Sequence, residues 1–302
     1  MTFVRRPRTS WQLRTRSLPL GGRTLVMGVL NVTPDSFSDA GAHLTPEVAV
    51  QRGIALLDAG ADLLDIGGES TRPGSQPITP QQEQDRILPV ISAILHERQG
   101  SALSVDTYHA ASARAAIAAG AEVVNDVSGF AWDGAMPEAC ADLRCGLILV
   151  HTRGRPQEWR TQPRLAPEQV MPLVQSGLAA SLDRALEAGV SRDRIVLDPG
   201  FGFGKVHDEN YPLFAHLGEL LVLGQPLLAG VSRKSFLGHT VAEAFRHTIG
   251  SASTPPQPAQ RAHATLAAAT AAILAGASLI RVHEVRPALE AAAIADAILN
   301  AL

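Results

Sequence analysis

The sequence predicts an α/β protein built as a single (β/α)8 TIM barrel. Three observations lead there: apolar runs of strand length recur along the chain, a helix-spaced segment follows each, and there are eight of them. Strands alternating with helices pair in parallel, because a parallel crossover needs a dozen or more residues. Eight such units suffice to close a barrel, and about 250 residues commonly form one as a single domain. The chain has 302 residues.

In order, the runs are Leu25–Leu30, Asp62–Ile66, Leu103–Val105, Glu122–Asn125, Leu147–Val150, Ile195–Leu197, Pro226–Val231 and Leu279–Val282. Ala59-Gly60-Ala61, Ala119-Gly120-Ala121 and Ala275-Gly276-Ala277 precede strands, where glycine fits a helix end turning into the next element. Residues 1–23 lie outside the repeat and are assigned to a short cap over the barrel floor, leaving 24–302 as the barrel. The stretch His239–Gln260, with Pro255, Pro256 and Pro258, reads as a long loop or insertion whose role the sequence leaves open. Ala264–Ile280, uncharged and alanine-rich, reads as a buried helix followed by a strand and not as a membrane span.

Composition narrows the function classes. Hydrophobic content of 46% and charged content of 18% suit a globular protein with a large core. A net charge of −3 gives no footprint for nucleic acid or an anionic membrane. Cys140 and Cys145 form no disulfide framework or zinc pattern, which points to a reducing compartment, the cytoplasm. The arginine-rich start faintly resembles a transit peptide but lacks the apolar run of a secretory signal.

In a barrel of this kind the chemistry sits just past the strand C-termini. Those positions read Asn31, Asp65, Asp106, Asn125, His151, Asp198, Lys234 and His283, polar in every case. Several carry charge into a partly buried mouth, where an unpaired charge costs several kcal/mol. The loops add Asn31-Val-Thr-Pro-Asp35-Ser-Phe37-Ser-Asp39, Gly67-Gly-Glu69-Ser-Thr71-Arg72-Pro73-Gly74, Asp198-Pro-Gly-Phe-Gly-Phe-Gly-Lys205 and Ser232-Arg-Lys234-Ser235. Hydroxyls, backbone amides and arginine suit an anionic group. Lys205 and Lys234, the only lysines, both fall on this face. The sixth loop is no P-loop, since Pro199 and Val206 break the pattern, and His96-Glu97 has Gly100 where a zincin needs histidine. Asp65 remains open between a structural carboxylate and a ligand contact, Lys205 between a loop anchor and a substrate contact, and Glu69 reads as structural. His151 is open in the same way.

Taken together, Met27–Asp39, Asp65–Gly74, Ser104-Val-Asp106-Thr, Asn125-Asp126, Asp198–Lys205, Ser232–Ser235 and Arg281-Val-His283 resemble dihydropteroate synthase, a pterin-binding family, across nearly the whole chain. The resemblance implies a Mg²⁺-assisted transferase of folate biosynthesis. It condenses 6-hydroxymethyl-7,8-dihydropterin diphosphate with 4-aminobenzoate, is typically homodimeric, and is the target of sulfonamides. It further implies pterin binding by Asp106, Asn125, Asp198 and Lys234, diphosphate binding by Thr71, Arg281 and His283, and a metal at Asn31. An aminobenzoate pocket would comprise Phe37, Thr71, Arg72, Pro73 and Ser235, with Asp35, Asp106 and Lys234 catalytic. Thr152-Arg153-Gly154 departs from the family's more usual methionine-containing run. Two alternatives are a catalytically inactive pterin-binding paralogue and a methyltetrahydrofolate-dependent methyltransferase.

Overall fold

A computed structural model describes residues 3–33, 45–70, 75–249 and 254–302. After an antiparallel hairpin, β1 (Thr9–Gln12) and β2 (Ser17–Leu20), strands and helices alternate. They are β3 (Leu25–Asn31), α1 (Pro46–Asp58), β4 (Leu63–Gly67), α2 (Pro80–Glu97), β5 (Leu103–Asp106), α3 (Ala110–Ala118), β6 (Val123–Asp126) and α4 (Met136–Leu143). Then follow β7 (Gly146–Val150), α5 (Pro167–Glu187), β8 (Ile195–Asp198), α6 (Tyr211–His216), β9 (Leu228–Ala229), α7 (Ser235–Ile249), α8 (Ala262–Leu274), β10 (Leu279–Val282) and α9 (Val285–Asn300). The parallel sheet runs β8-β7-β6-β5-β4-β3-β10-β9, and a parallel bridge between Leu197 and Leu227 joins its two edges. The expected barrel is present.

Side chains alternate along each strand, which splits the core in two. Val26, Leu64, Val105, Val124, Leu147, Leu197 and Ile280 face outward and pack with the helices. Leu25, Met27, Leu63, Val123, Ile148, Val196, Leu228 and Leu279 fill the barrel interior. Trp11, Leu13 and Leu20 of the hairpin join that inner cluster at the N-terminal ends of the strands. There Trp11 Nε1 donates to the Arg194 carbonyl at 2.8 Å, and Arg16 Nε to Glu122 at 2.7 Å. The same alternation, continued toward the strand C-termini, turns Asp65, Asp106, Asn125, Asp198 and Arg281 into the interior. An apolar lower layer therefore supports a polar upper one.

Gly60, Gly120 and Gly276 all have φ above +100°, as a helix-ending left-handed turn requires. Two sequence expectations are corrected. The run Pro226–Val231 yields a strand of two residues, since Pro226 has no N–H for the ladder and contributes only its carbonyl, to Leu197 N. His239–Ile249 is not loop but the body of α7, which buries Phe236, Leu237 and Ala242 before the prolines begin. Among the described residues, no helix is long and apolar enough to cross a membrane.

Candidate active site

At the strand C-termini four side chains form one connected chain. Arg281 on β10 donates from Nε to Asp65 Oδ2 and from Nη2 to Asp106 Oδ2, both at 2.6 Å. Asn125 Nδ2 donates to the same Asp65 oxygen at 2.9 Å. Asp65 is fully buried on β4 and bonds side chains, which settles its geometry as a bridge between β6 and β10. Gly67 stands opposite Asp106 in the β4–β5 register, and a Cβ there would make ordinary contact with Asp106 Oδ2 at 3.6 Å and Asn31 Oδ1 at 3.8 Å.

Asp198 and Lys234 complete the ring from the other side. Asp198 is buried and accepts from Gly200 N at 2.7 Å. Burial raises its pKa to about 6, against the opposing pull of the Gly200 N–H and of Lys234 and Arg281. Lys234 is aimed by its predecessor. Arg233 sits at φ +59°, donates its backbone N–H to Thr265 Oγ1, and turns its guanidinium outward to Glu284 at 3.0 Å. The next side chain is thereby sent inward, and Lys234 Nζ lies 3.7 Å from the centroid of the Phe203 ring. Burial lowers its pKa to about 8, with Asp198 acting in the opposite sense. Burial likewise raises Asp106 to about 7 despite Arg281, with Asp65 and Glu83 adding to the rise. Arg281 itself is opposed by burial, yet Asp65 and Asp106 outweigh that and hold its pKa above the ordinary value.

The loop after β8 is a platform. Lys205 Nζ donates to the carbonyls of Gly200 at 2.7 Å and Phe203 at 3.2 Å, while Asn210 Oδ1 accepts from Gly202 N at 2.7 Å. Lys205 is a loop anchor in this structure. His151 is also buried and packs against Gly177 of α5, where a Cβ would fall 2.5 Å from its ring. It faces outward from β7, away from the ring of acids and bases. His283 Nδ1 and Ser232 Oγ are 2.9 Å apart, tying the end of β10 to the loop before α7. Ser235 opens α7 and is exposed. Glu69 accepts from the Tyr108 hydroxyl at 2.9 Å, so it roots the second loop on the end of β5.

Of the residues singled out from sequence, Asn31, Asp106, Asn125, Asp198, Lys234, Arg281 and His283 share this end of the barrel. Asp35, Phe37, Thr71, Arg72 and Pro73 lie outside the described residues. Sequence reading passed over Phe203, whose signal was its place between two glycines in the sixth loop. It also left Asp65 undecided, although strand alternation from Leu63 turns it inward. Among the described residues, no group of three or more His, Cys, Asp or Glu side chains is gathered as if for a metal.

Comparison with known proteins agrees with this arrangement. A family model described as pterin binding enzyme matches residues 27–283. A dihydropteroate synthase of Mycobacterium leprae is 42% identical over 278 residues, covering 91% of this chain and 94% of the relative. A Xanthomonas albilineans dihydropteroate synthase solved with 4-aminobenzoic acid superposes with a TM-score of 0.85 at 39% identity, covering 97% of this chain and 98% of the other. A complex of that organism's enzyme with 7,8-dihydropteroate gives 0.80 at 37% identity, with 96% and 98% covered. The chain belongs to the pterin-binding enzymes and, among them, to the dihydropteroate synthases.

Proposed function

We propose that this transferase joins 6-hydroxymethyl-7,8-dihydropterin diphosphate to 4-aminobenzoate, releasing diphosphate and forming 7,8-dihydropteroate. The observation that carries the reading is the ring of Asp106, Asn125, Asp198 and Lys234, brought together from four strand ends at the barrel mouth. A pterin presents an amino-pyrimidinone edge rich in N–H donors, for which carboxylate and amide oxygens are the matching acceptors. Asp198 and Asn125 grip that edge, and Lys234 donates to the carbonyl oxygen and a ring nitrogen. Each charge-assisted hydrogen bond of this kind contributes roughly 1.5–3 kcal/mol.

The reaction breaks the methylene C–O bond first, with the electron pair leaving on diphosphate. Positive charge then appears on the methylene, and a carboxylate about 4 Å away stabilises it by about 4 kcal/mol at an effective dielectric near 20. Asp106 takes that role, with Asp35 of the first loop. The amine of 4-aminobenzoate attacks the methylene, its C–N bond forms, and the amine proton passes to solvent. Arg281 and His283, with Thr71, meet the diphosphate. Phe37, Thr71, Arg72, Pro73 and Ser235 hold the aminobenzoate, in the place for which sulfonamides compete.

Asn31 fits a Mg²⁺ site in this scheme. Its Oδ1 is a hard oxygen donor on the same side of Gly67 as Asp106 Oδ2, and such a cation takes its other oxygens from phosphate and water. Mg²⁺ bound there supplies charge neutralisation to the departing diphosphate.

We place the protein in the cytoplasm on the strength of its thiols, Cys140 and Cys145, which are free and buried. A homodimer is supported by apolar residues exposed along one side of α9, Ile294 at 65% and Ile298 at 37%. Residues 1–23 act as the cap of the 24–302 barrel. The test of function is a steady-state assay with both substrates and Mg²⁺. Pterin binding without product would favour the inactive paralogue, a reading at odds with the presence of Asn31, Asp106, Asp198, Lys234 and His283.

A further inference from the structure

Asn125 is the only amide in the pterin-facing ring, and an amide can present either a donor or an acceptor. Its orientation is fixed from behind. Nδ2 is held by Asp65 Oδ2 at 2.9 Å, and the amide oxygen meets no hydrogen-bond partner among the described residues although it is buried. The Asp65 oxygen takes donors and does not match the amide in the opposite orientation, and it is held in place by its ion pair with Arg281 Nε, 2.6 Å away. We infer that Asp65 is a positioning residue: it locks the Asn125 amide so that Oδ1 faces the bound pterin as an acceptor. The inference rests on the proposed pterin site and deepens it, since Asp65 touches no substrate and acts only through its neighbour.

The consequence is one of position and not of charge. Arg281 Nε and Asn125 Nδ2 meet the same Asp65 oxygen, while Oδ1 is buried with no hydrogen-bond partner among the described residues. In Asp65→Asn the amide oxygen takes the place of Oδ2 and accepts from both neighbours, so the Asn125 amide keeps its orientation although the negative charge is gone. In Asp65→Ala nothing holds Nδ2, and the amide is free to turn its NH₂ toward a pterin edge that is itself rich in N–H. A donor then opposes a donor, and the site loses one good hydrogen bond. The contrast between the two variants reports the amide's orientation and not the charge beside Arg281.

The experiment measures binding of 6-hydroxymethylpterin and of its counterpart lacking the 2-amino group by calorimetry, together with KM and kcat for the pterin diphosphate. Asp65→Ala is expected to weaken the pterin by about 10- to 100-fold, to raise KM more than it lowers kcat, and to narrow the preference for the 2-amino compound. Asp65→Asn is expected to stay within about tenfold of wild type and to keep that preference. Unchanged pterin affinity in a folded Asp65→Ala protein overturns the inference. So does an Asp65→Asn protein that does not fold, or folds and is as weak as Asp65→Ala, and Asp65→Asn alone decides if Asp65→Ala does not fold. Failure of the wild-type protein to bind hydroxymethylpterin would instead sink the proposed function.

Discussion

Arg281 holds two aspartates at once, with its Nε 2.6 Å from Asp65 Oδ2 and its Nη2 2.6 Å from Asp106 Oδ2. Those carboxylates come from neighbouring strands, β4 and β5, whose like charges would otherwise face one another inside the barrel. Two of the five guanidinium N–H groups are used in this way, and among the described residues the others are left to meet a ligand. The arrangement makes one residue both a structural bridge and a candidate anion contact.

Replacing it separates these roles. Arg281→Ala leaves two acids without their cation, one of them fully buried, and removal of one partner of such a pair costs about 3–5 kcal/mol. Urea denaturation should show a loss of that order, and Arg281→Lys a smaller one, because an ammonium keeps the charge but not the two-pronged geometry. Binding should fall further for pterin diphosphate than for free hydroxymethylpterin. Equal losses would restrict Arg281 to its structural part.

The pH dependence follows from three groups. Asp106, raised to about 7, must be ionised to face positive charge on the methylene, and Asp198, at about 6, to accept from the pterin edge. Lys234, lowered to about 8, must be protonated to donate. For the free enzyme kcat/KM should therefore fall below pH about 7 and again above about 8. Lys234→Arg should carry the basic limb upward, and a profile flat from 6 to 9 would contradict the assignments. Stability runs the other way on the acid side. Both carboxylates bind protons more tightly folded than unfolded, so their contribution is full below pH 3.8 and declines as pH rises through about 6 and 7.

Much of this was legible in the chain because barrel physics is periodic. The polar residue closing each apolar run marks the mouth, and alternation from Leu63 and Val196 turns Asp65 and Asp198 inward. The glycine of each Ala-Gly-Ala phrase marks a helix end. What escaped depends on side chains meeting across long sequence distances. Nothing local reveals that Lys205 folds back onto the carbonyls of Gly200 and Phe203, or that Arg281 reaches Asp65 on the far side of the chain order. The helix from Ser235 was missed because the prolines at 255–258 drew the loop boundary too early, although Leu237, Val241 and Ala244 already carried helical spacing.

The two lysines should respond differently to truncation. Lys205 is buried with its ammonium on loop carbonyls, and burial lowers its pKa to about 7. Lys205→Met removes a donor from these carbonyls but relieves the burial of a charge, so its stability change should be modest, within about 2 kcal/mol. KM for the pterin should rise as the platform under Lys234 loosens, while the basic limb of the pH profile stays in place. Lys234→Met should abolish that limb along with most activity. Loss of the limb in Lys205→Met would mean that Lys205, not Lys234, titrates in the reaction.

Gly200 offers the sharpest test of the platform. It has φ +68°, its N–H donates to Asp198 Oδ1 at 2.7 Å, and a Cβ would fall 1.9 Å from the His151 carbonyl oxygen. Alanine there meets two costs: the left-handed backbone, about 1–2 kcal/mol, and backbone displacement of the loop that orients Asp198. Gly189 is the control, with φ +97° and nothing within 4 Å of a Cβ, at the far end of α5. Gly189→Ala should show the backbone strain alone, a loss of about 1–2 kcal/mol with pterin affinity unchanged. Gly200→Ala should lose more stability and also weaken hydroxymethylpterin by tenfold or more, about 1.4 kcal/mol. Denaturant melts and calorimetry on the two variants decide the matter. If both lose affinity equally, or neither does, the Asp198 carboxylate is not held by this turn, and its grip on the pterin must come from β8 alone.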